Sequence, residues 1–368
     1  MLPEMITGKS STPAFVLIAG DEDISAKIQG RLISLSLTDN RGFEADRLDI
    51  ELDDSDGALM MPKRGEVLTL HLGWQGERLI HKGSFTVDEI EHSGVPDKMT
   101  LRARSADFRA TLNVRREMSY HQKTLGDIVR TIAGRNNVTA VVDPGLDTVK
   151  IEHIDQTNES DGSFLTRLGQ LNGATACVKN GNLLFMVQGG NTTASGQALP
   201  LVQITRSVGD GHRFSLVDRG AYTGVTANYL NTRKPQEKTQ SQIRRRKPTT
   251  NKPKKEEEKQ GEYLVGEEGN VMVLSHTYAS KTNAERAAKA AWEKIQRGVA
   301  SFSITLAKGR ADLFPELPVK VSGFKPEIDE AYWTLVTVSH SLNNSGFTTS
   351  LELEVKSSEI DMDKECSK

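Results

Sequence analysis

The chain reads as a mainly β protein of the α+β class: two similar antiparallel β-barrel domains with a small α+β domain inserted between them. Three observations predict this. Apolar and polar residues alternate through the first ~110 residues, the pattern of half-buried strands. After Tyr120 the period becomes helical, and from Leu199 the alternation returns. Finally, two stretches, Pro62–Asp107 and Pro315–Glu359, follow one order of elements. Each opens on Pro and a β-rich run. Each continues with a long strand ending near a His (Val87 to His92; Val336 to His340), a Ser-Gly turn (Ser93-Gly94; Ser345-Gly346) and an alternating strand. Identity between them is low, so the order of elements carries the duplication, against the competing reading that any two antiparallel β-domains share such an order. The boundaries follow: residues 1–112 and 199–358 as the two β-barrel (ring) domains, 113–198 as the α+β domain, and 359–368 as a polar tail.

In the first β-domain, Leu48, Ile50 and Leu52 alternate with polar residues, as do Met99, Leu101 and Ala103, which leaves Arg102 and Arg104 on the opposite face. Ile33, Leu35 and Leu37 form a third set. Val67 to Trp74 and Phe85 to Ile90 complete a sheet expected to close into a barrel or sandwich, which limits exposed edges. In the middle domain, Leu125, Ile128, Val129, Ile132 and Ala133 share a helix face, with Thr124 as N-cap and Gly134 as stop. Val138 to Val142 is a strand ended by Asp143-Pro144-Gly145, and Ile151 to Ile154 is another. Ser163 to Leu171 is a second helix, with Phe164, Leu165, Leu168 and Leu171 on one side. Asn180-Gly181 joins Thr175–Val178 to Leu183–Val187 as a hairpin. Gly189 to Gln197 is a polar exit linker.

In the last domain, Val225 to Leu230 and Val271 to Leu274 are strands. Between them, 231–262 holds 11 Lys/Arg and 5 Glu and a single aliphatic residue, Ile243. It lacks the apolar surface to offset ordering entropy and reads as a disordered charged loop. Lys281 to Arg297 is the clearest helix, with Ala284, Ala287, Ala288, Ala291 and Ile295 on one face and Thr282 with Glu285 as a capping box. Phe302, Ile304 and Leu306 alternate. In the final hairpin Phe347, Thr349, Leu351, Leu353 and Val355 lie opposite Thr348, Ser350, Glu352 and Glu354.

Composition narrows the function. A net charge of −2 gives no global case for a nucleic-acid binder. The longest apolar run, Ala14 to Ala19, is too short to span a bilayer and lacks the flanks of a signal peptide, so no membrane insertion is expected. Two cysteines, Cys177 and Cys366, fit synthesis in a reducing cytoplasm rather than a disulfide scaffold. The motifs GxSxG, HExxH, CxxC, GxxxxGK(S/T) and GxGxxG are all missing. We therefore expect no enzyme, no catalytic, cofactor-binding or metal site, and no cofactor. His92 and His340 read as strand-end histidines ahead of a metal or intersubunit contact. Asp53, Asp54 and Asp56 read as a solvated turn ahead of a calcium loop, whose closing Glu is missing. Arg244-Arg245-Arg246-Lys247 reads as solvated loop ahead of a phosphate or acidic-partner site. Trp74, Trp292 and Trp333 read as core or interface anchors.

The segments Tyr332-Trp333-Thr334-Leu335-Val336-Thr337-Val338-Ser339-His340 and Gly346-Phe347-Thr348-Thr349-Ser350-Leu351-Glu352-Leu353 resemble the late control protein D family of contractile-tail phages, the tail-hub proteins at the baseplate centre. Ser119-Tyr120-His121-Gln122-Lys123-Thr124-Leu125-Gly126-Asp127-Ile128 also looks familial. The resemblance covers most of the chain apart from 231–262, and such hubs are similar to the base of type VI secretion spike proteins. It implies a structural homotrimer in the virion, whose paired β-barrels form a pseudo-sixfold ring between a sixfold tail tube and a threefold central spike. The implied partners are the central spike protein, the tail tube protein, the tape-measure protein and other baseplate proteins, with DNA only in transit through the lumen. Some hubs carry a fused wall-degrading domain; none is expected to fit after Lys356. A spike-base protein of a tailocin or type VI-like injection machine is the alternative. A DNA-binding regulator is disfavoured by the charge and by the lack of a helix-turn-helix.

Overall fold

The structure is a computed structural model describing residues 12–105, 110–216, 222–230, 242–243, 260–266, 269–297 and 300–355. It is mainly β, with antiparallel pairing dominant. Thirteen strands form one continuous sheet that contains both the first and last parts of the chain.

Two six-stranded ladders, with the short strand Glu22–Asp23 added beside Pro13–Ala19, make up that sheet, and the ladders repeat. In the first, Leu32–Asn40 pairs with Arg47–Asp53, that strand with Lys98–Ser105, that with Ile80–Ser93, that with Val67–Trp74, and that with Pro13–Ala19. In the second, the same chain order recurs: Gly209–Leu216, Ala300–Leu306, Gly346–Val355, Tyr332–Asn343, Pro318–Ser322 and Val202–Thr205. One pair differs, since Val202–Thr205 runs parallel to its neighbour whereas Pro13–Ala19 runs antiparallel to its own.

Irregularities recur as well. A bulge lies between Val87 and Glu89 in one ladder and between Leu335 and Thr337 in the other. Just before each ladder's return strand, the chain takes a left-handed step, at Gly65 (φ 86°) and at Glu316 (φ 74°). Gly65 N–H donates to Val87 O at 2.8 Å, and Glu316 N–H donates to Leu335 O at 2.9 Å. These bonds make Val87 and Leu335, and hence His92 and His340, equivalent. They also show that Pro62 and Pro315 are not equivalent, because the ladder aligns Gly65 with Glu316.

The alternating residues fill two cores. Leu48, Ile50, Leu52, Leu35, Leu37 and Phe85 bury in the first, and Phe302, Ile304, Leu306, Leu351, Leu353 and Trp333 in the second. Ile33 breaks the expected alternation. A bulge between Leu32 and Ser34 turns it outward, 38% exposed, and buries Leu32 instead.

Between the ladders lies a third core. Helix Leu125–Arg135 starts at a Thr124 capping box closed by Asp127. Gly134 sits inside this helix, and Asn136 is its C-cap. Helix Asp161–Asn172 ends at left-handed Gly173. Phe164, Leu165 and Leu168 join Ile128, Val129 and Ile132 in the core. The Asn180-Gly181 hairpin forms, with both residues at positive φ. Strand Lys150–Ser160 is much longer than its apolar centre suggests. Its partner, Arg115–Thr124, has no apolar alternation to announce it.

In chain order, a further sheet, Gly224–Leu230 with Gln260–Gly266 and Val271–Tyr278, comes between the first two strands of the second ladder. Helix Lys281–Arg297 packs Ala284, Ala287 and Ala288 against Val225, Ala227 and Tyr229. Ser280, not Thr282, caps this helix: its Oγ accepts from Asn283 N at 3.3 Å. Gln242–Ile243, within the charged segment, and Gln260–Gly266, at its end, are strands that pair in parallel. The rest of 231–262, including Arg244–Lys247, and the 359–368 tail lie outside the described residues.

Candidate functional site

The two ladders meet at one junction. Leu32–Asn40 runs antiparallel to Tyr332–Asn343, in register from Asn40↔Thr337 to Ser34↔Asn343. Leu35 and Leu37 oppose Leu342 and His340 on the inner face, where all four are buried. On the outer face Ser339 Oγ lies 3.5 Å from Thr38 Oγ1. Main-chain bonds join the two strands, and the buried inner residues fix their register and close a shared core.

A loop of the second half is clamped against the first. Trp74 Nε1–H donates to Gly309 O at 2.9 Å and its ring packs on Phe347 at 5.5 Å. Lys82 Nζ donates to Leu313 O at 3.1 Å and Ala311 O at 3.3 Å. Burial lowers the Lys82 pKa despite nearby Asp39. Gly309 is required by space, because a Cβ there would lie 2.5 Å from the Phe347 ring.

Beside the loop sits a buried ion cluster. Arg41 pairs with Glu316 and Glu354 and donates to Leu335 O at 3.3 Å. Glu316 also accepts from Gly189 N at 2.8 Å, which ties in the exit of the α+β segment. Burial raises the Glu316 carboxyl, and Arg41 works against that rise. Lys179, on the Asn180-Gly181 hairpin, pairs with Asp46 and with Asp39, the latter at 2.9 Å. Burial alone would lower Lys179, but the two aspartates outweigh it and raise its pKa. Asp46 is raised, chiefly by burial and against the pull of Lys179. A cavity of about 430 Å³ lies among Asp39, Asp46, Lys82, Cys177, Lys179 and Phe314. Cys177 is buried, and burial pushes its thiol up to about 12.

The residues singled out in the sequence are spread over this frame. His340 is fully buried at the junction. The Thr349 hydroxyl accepts from Arg310 N at 2.9 Å and lies within hydrogen-bond distance of His340 Nδ1, at 3.0 Å. Burial, then Lys82, drives the ring's pKa down to about 3. His92 lies at the equivalent place on the other ladder but is exposed, 3.2 Å from Asp54. The Asp53, Asp54 and Asp56 carboxylates are engaged by protein donors, Ser55, Leu59 and Arg31 respectively. Trp333 is buried, with Nε1–H on Ile328 O at 3.0 Å, and Trp292 packs beside the Ala-rich face. Arg41, Glu316, Lys82 and Lys179 carried no local signal, since their partners lie more than forty residues away in the chain. The apolar alternation around them could only mark the strands.

The sequence family described as phage tail baseplate hub (GPD) matches residues 40–346, most of the chain. The chain belongs to the phage tail baseplate hub family. The probable baseplate hub protein of Escherichia phage 186 is 55% identical, and that of Escherichia phage P2 54%; each alignment covers 97% of both chains. In fold, the hub chain is similar to the 43 kDa tail protein of Shewanella oneidensis prophage MuSo2 (TM-score 0.66, 15% identity, 95% of this chain and all of that one). It is also similar to a tail protein of Neisseria meningitidis MC58 (TM-score 0.65, 13% identity, 95% and 99%). A component of the Escherichia coli type VI secretion system is similar over 89% of the hub chain and 74% of its own length, at 13% identity (TM-score 0.51). A structural role in the tail baseplate accounts for a site built of strand edges and sealed charges.

Proposed function

We propose that the hub chain is a non-enzymatic symmetry adaptor: a homotrimer whose two ladders, each closed into a barrel, form a pseudo-sixfold ring. In this reading, residues 1–112 and 199–358 are the ring domains and 113–198 stands outside them. The ring joins a sixfold tail tube to a threefold central spike, holds the end of the tape-measure protein during assembly and later passes DNA. One observation carries the proposal. The chain contains two ladders of the same strand order, joined edge to edge, so three chains supply six near-equivalent units. A virion protein of this kind is made in the bacterial cytoplasm and ends in the tail. Mass photometry of the chain with its spike partner is expected to give trimers, and monomers alone would refute the adaptor. The alternative, a spike base in a tailocin or type VI-like machine, is favoured by the fold of the Escherichia coli secretion component. Neighbouring capsid and terminase genes would separate the two.

A further inference from the structure

The internal junction has an unfilled counterpart. Matching bulges and hydrogen bonds align the two ladders residue by residue. Ile90, Glu91, His92 and Ser93 correspond to Val338, Ser339, His340 and Ser341. The other partner aligns as well. Phe214 pairs with Phe302 as Leu37 pairs with Leu48, so Arg213, Phe214, Ser215 and Leu216 correspond to Ser36, Leu37, Thr38 and Asp39. Inside the chain, 338–341 pair with 36–39.

Among the described residues, their counterparts do not pair within one chain. Among the described residues, Gly209–Leu216 pairs only with Ala300–Leu306. Residues 88–93 pair only with Lys98–Ser105, because the other neighbour of that strand stops at Thr86. Two strand edges are thus open, and each has its equivalent bonded to the other's equivalent at the internal junction.

We infer that Gly209–Leu216 of one hub chain pairs antiparallel with Ile90–Ser93 of a second copy, in the register Ile90↔Leu216, Glu91↔Ser215, His92↔Phe214 and Ser93↔Arg213. This rests on the ring reading above and specifies its interface. The side chains suit the register. Leu216, 40% exposed in one chain, comes opposite partly buried Ile90 on the inner face. His92 meets Phe214 as His340 meets Leu37. On the outer face exposed Arg213 falls diagonal to Glu91, an opposite-charge placement that favours the pair. The contact is head to tail, one edge against a different edge, so repetition does not stop at a dimer and forms a ring where the rotation closes, as the ring reading requires.

Cysteine cross-linking of the full chain tests it, in a Cys366→Ser background with Cys177 left buried. Directly opposed cross-strand residues are close enough for a disulfide. Ser36→Cys with Ser341→Cys, opposed within one chain, is the positive control and is expected to close intramolecularly. Ser93→Cys with Arg213→Cys is expected to give covalent oligomers under mild oxidation. Glu91→Cys with Arg213→Cys, out of register, should give at least ten-fold less. Equal yields, or oligomers by native mass spectrometry without the Ser93–Arg213 cross-link, would overturn this strand pairing and leave the ring standing. Monomers alone, even with the spike partner, would overturn the ring reading and this inference with it.

Discussion

Acid should attack the hub chain through one buried ring. His340 has no exposed surface, and burial with Lys82 nearby holds its pKa at about 3. In the unfolded chain an imidazole titrates near 6.5, roughly the standard value. Below that pH the unfolded state takes up a proton that the folded state refuses. Stability from this group is therefore complete above pH ~6.5 and is lost as pH falls, until the folded ring itself titrates. Well inside that window one pH unit costs about 1.4 kcal/mol, and acidifying from 6.5, where the unfolded ring is half protonated, to 4.5 should cost about 2 kcal/mol. Glu316, Asp46 and Asp49, raised chiefly by burial, act in the opposite sense, because their protonated forms suit the fold. The ring's share must be read as a difference from His340→Gln, which retains a polar atom toward Thr349. The variant should lose about 1 kcal/mol at pH 7.5. In urea titrations from pH 7.5 to 4.5 its deficit should shrink and then reverse, with about 3 kcal/mol of relative gain. Parallel curves for wild type and variant would refute the assignment.

Arg41→Ala should cost about 3–5 kcal/mol in urea unfolding, because two carboxylates are left at a buried site. Since Arg41 opposes the burial-driven rise of Glu316, moving the variant from pH 7 to 5 should restore part of the loss; no recovery would mean that Glu316 is not the group left stranded. Gly309→Ala should cost about 1–3 kcal/mol from overlap with the Phe347 ring, read as a lowered melting temperature, and an unchanged melt would mean the loop can move away freely. In the Cys366→Ser background, Cys177 should resist maleimide at pH 7.5 and label in denaturant, as a buried thiol with pKa pushed up to about 12 requires. Native labelling would show that the wall of the 430 Å³ cavity opens.

The fold was legible where a periodic face is buried. Phe347, Thr349, Leu351, Leu353 and Val355 all point inward, as their spacing says, and helix Lys281–Arg297 has the bounds its alanine face implies. Strand Arg115–Thr124 was not legible, because most of its residues are exposed or half-exposed and its pairing partner, not its own pattern, makes it a strand. Ile33 misled because a bulge adds one residue and reverses the alternation behind it. The junction was half legible. Equivalent positions for His92 and His340 could be read from the repeat, yet their fates differ: one has a paired strand beside it and the other an open edge. Arg41, Lys82 and Lys179 were hidden because a long-range ion pair leaves no trace in local spacing.

The two sites also differ in the charges placed at equivalent positions of the repeat. The acids that clamp Arg41 inside the chain are Glu316 and Glu354. The ladder alignment replaces them with Gly65 and Arg104 at the open site, where the Arg104 side chain is 64% exposed. The internal junction is thus sealed by buried charge, which bulk salt reaches poorly, whereas the inferred one between copies relies on exposed groups such as Arg213 and Glu91. Strand bonds and the Ile90–Leu216 contact would hold a ring together, and the exposed charges would steer and tune it. Association of hub chains should therefore weaken as salt rises from about 0.05 to 0.5 M, while the fold, with its sealed junction, melts at nearly the same temperature. Mass photometry alongside thermal melts measures both. Association that strengthens with salt would mean that the apolar edge outweighs the charges, and a melt that falls in step with association would mean that the two junctions are not built differently.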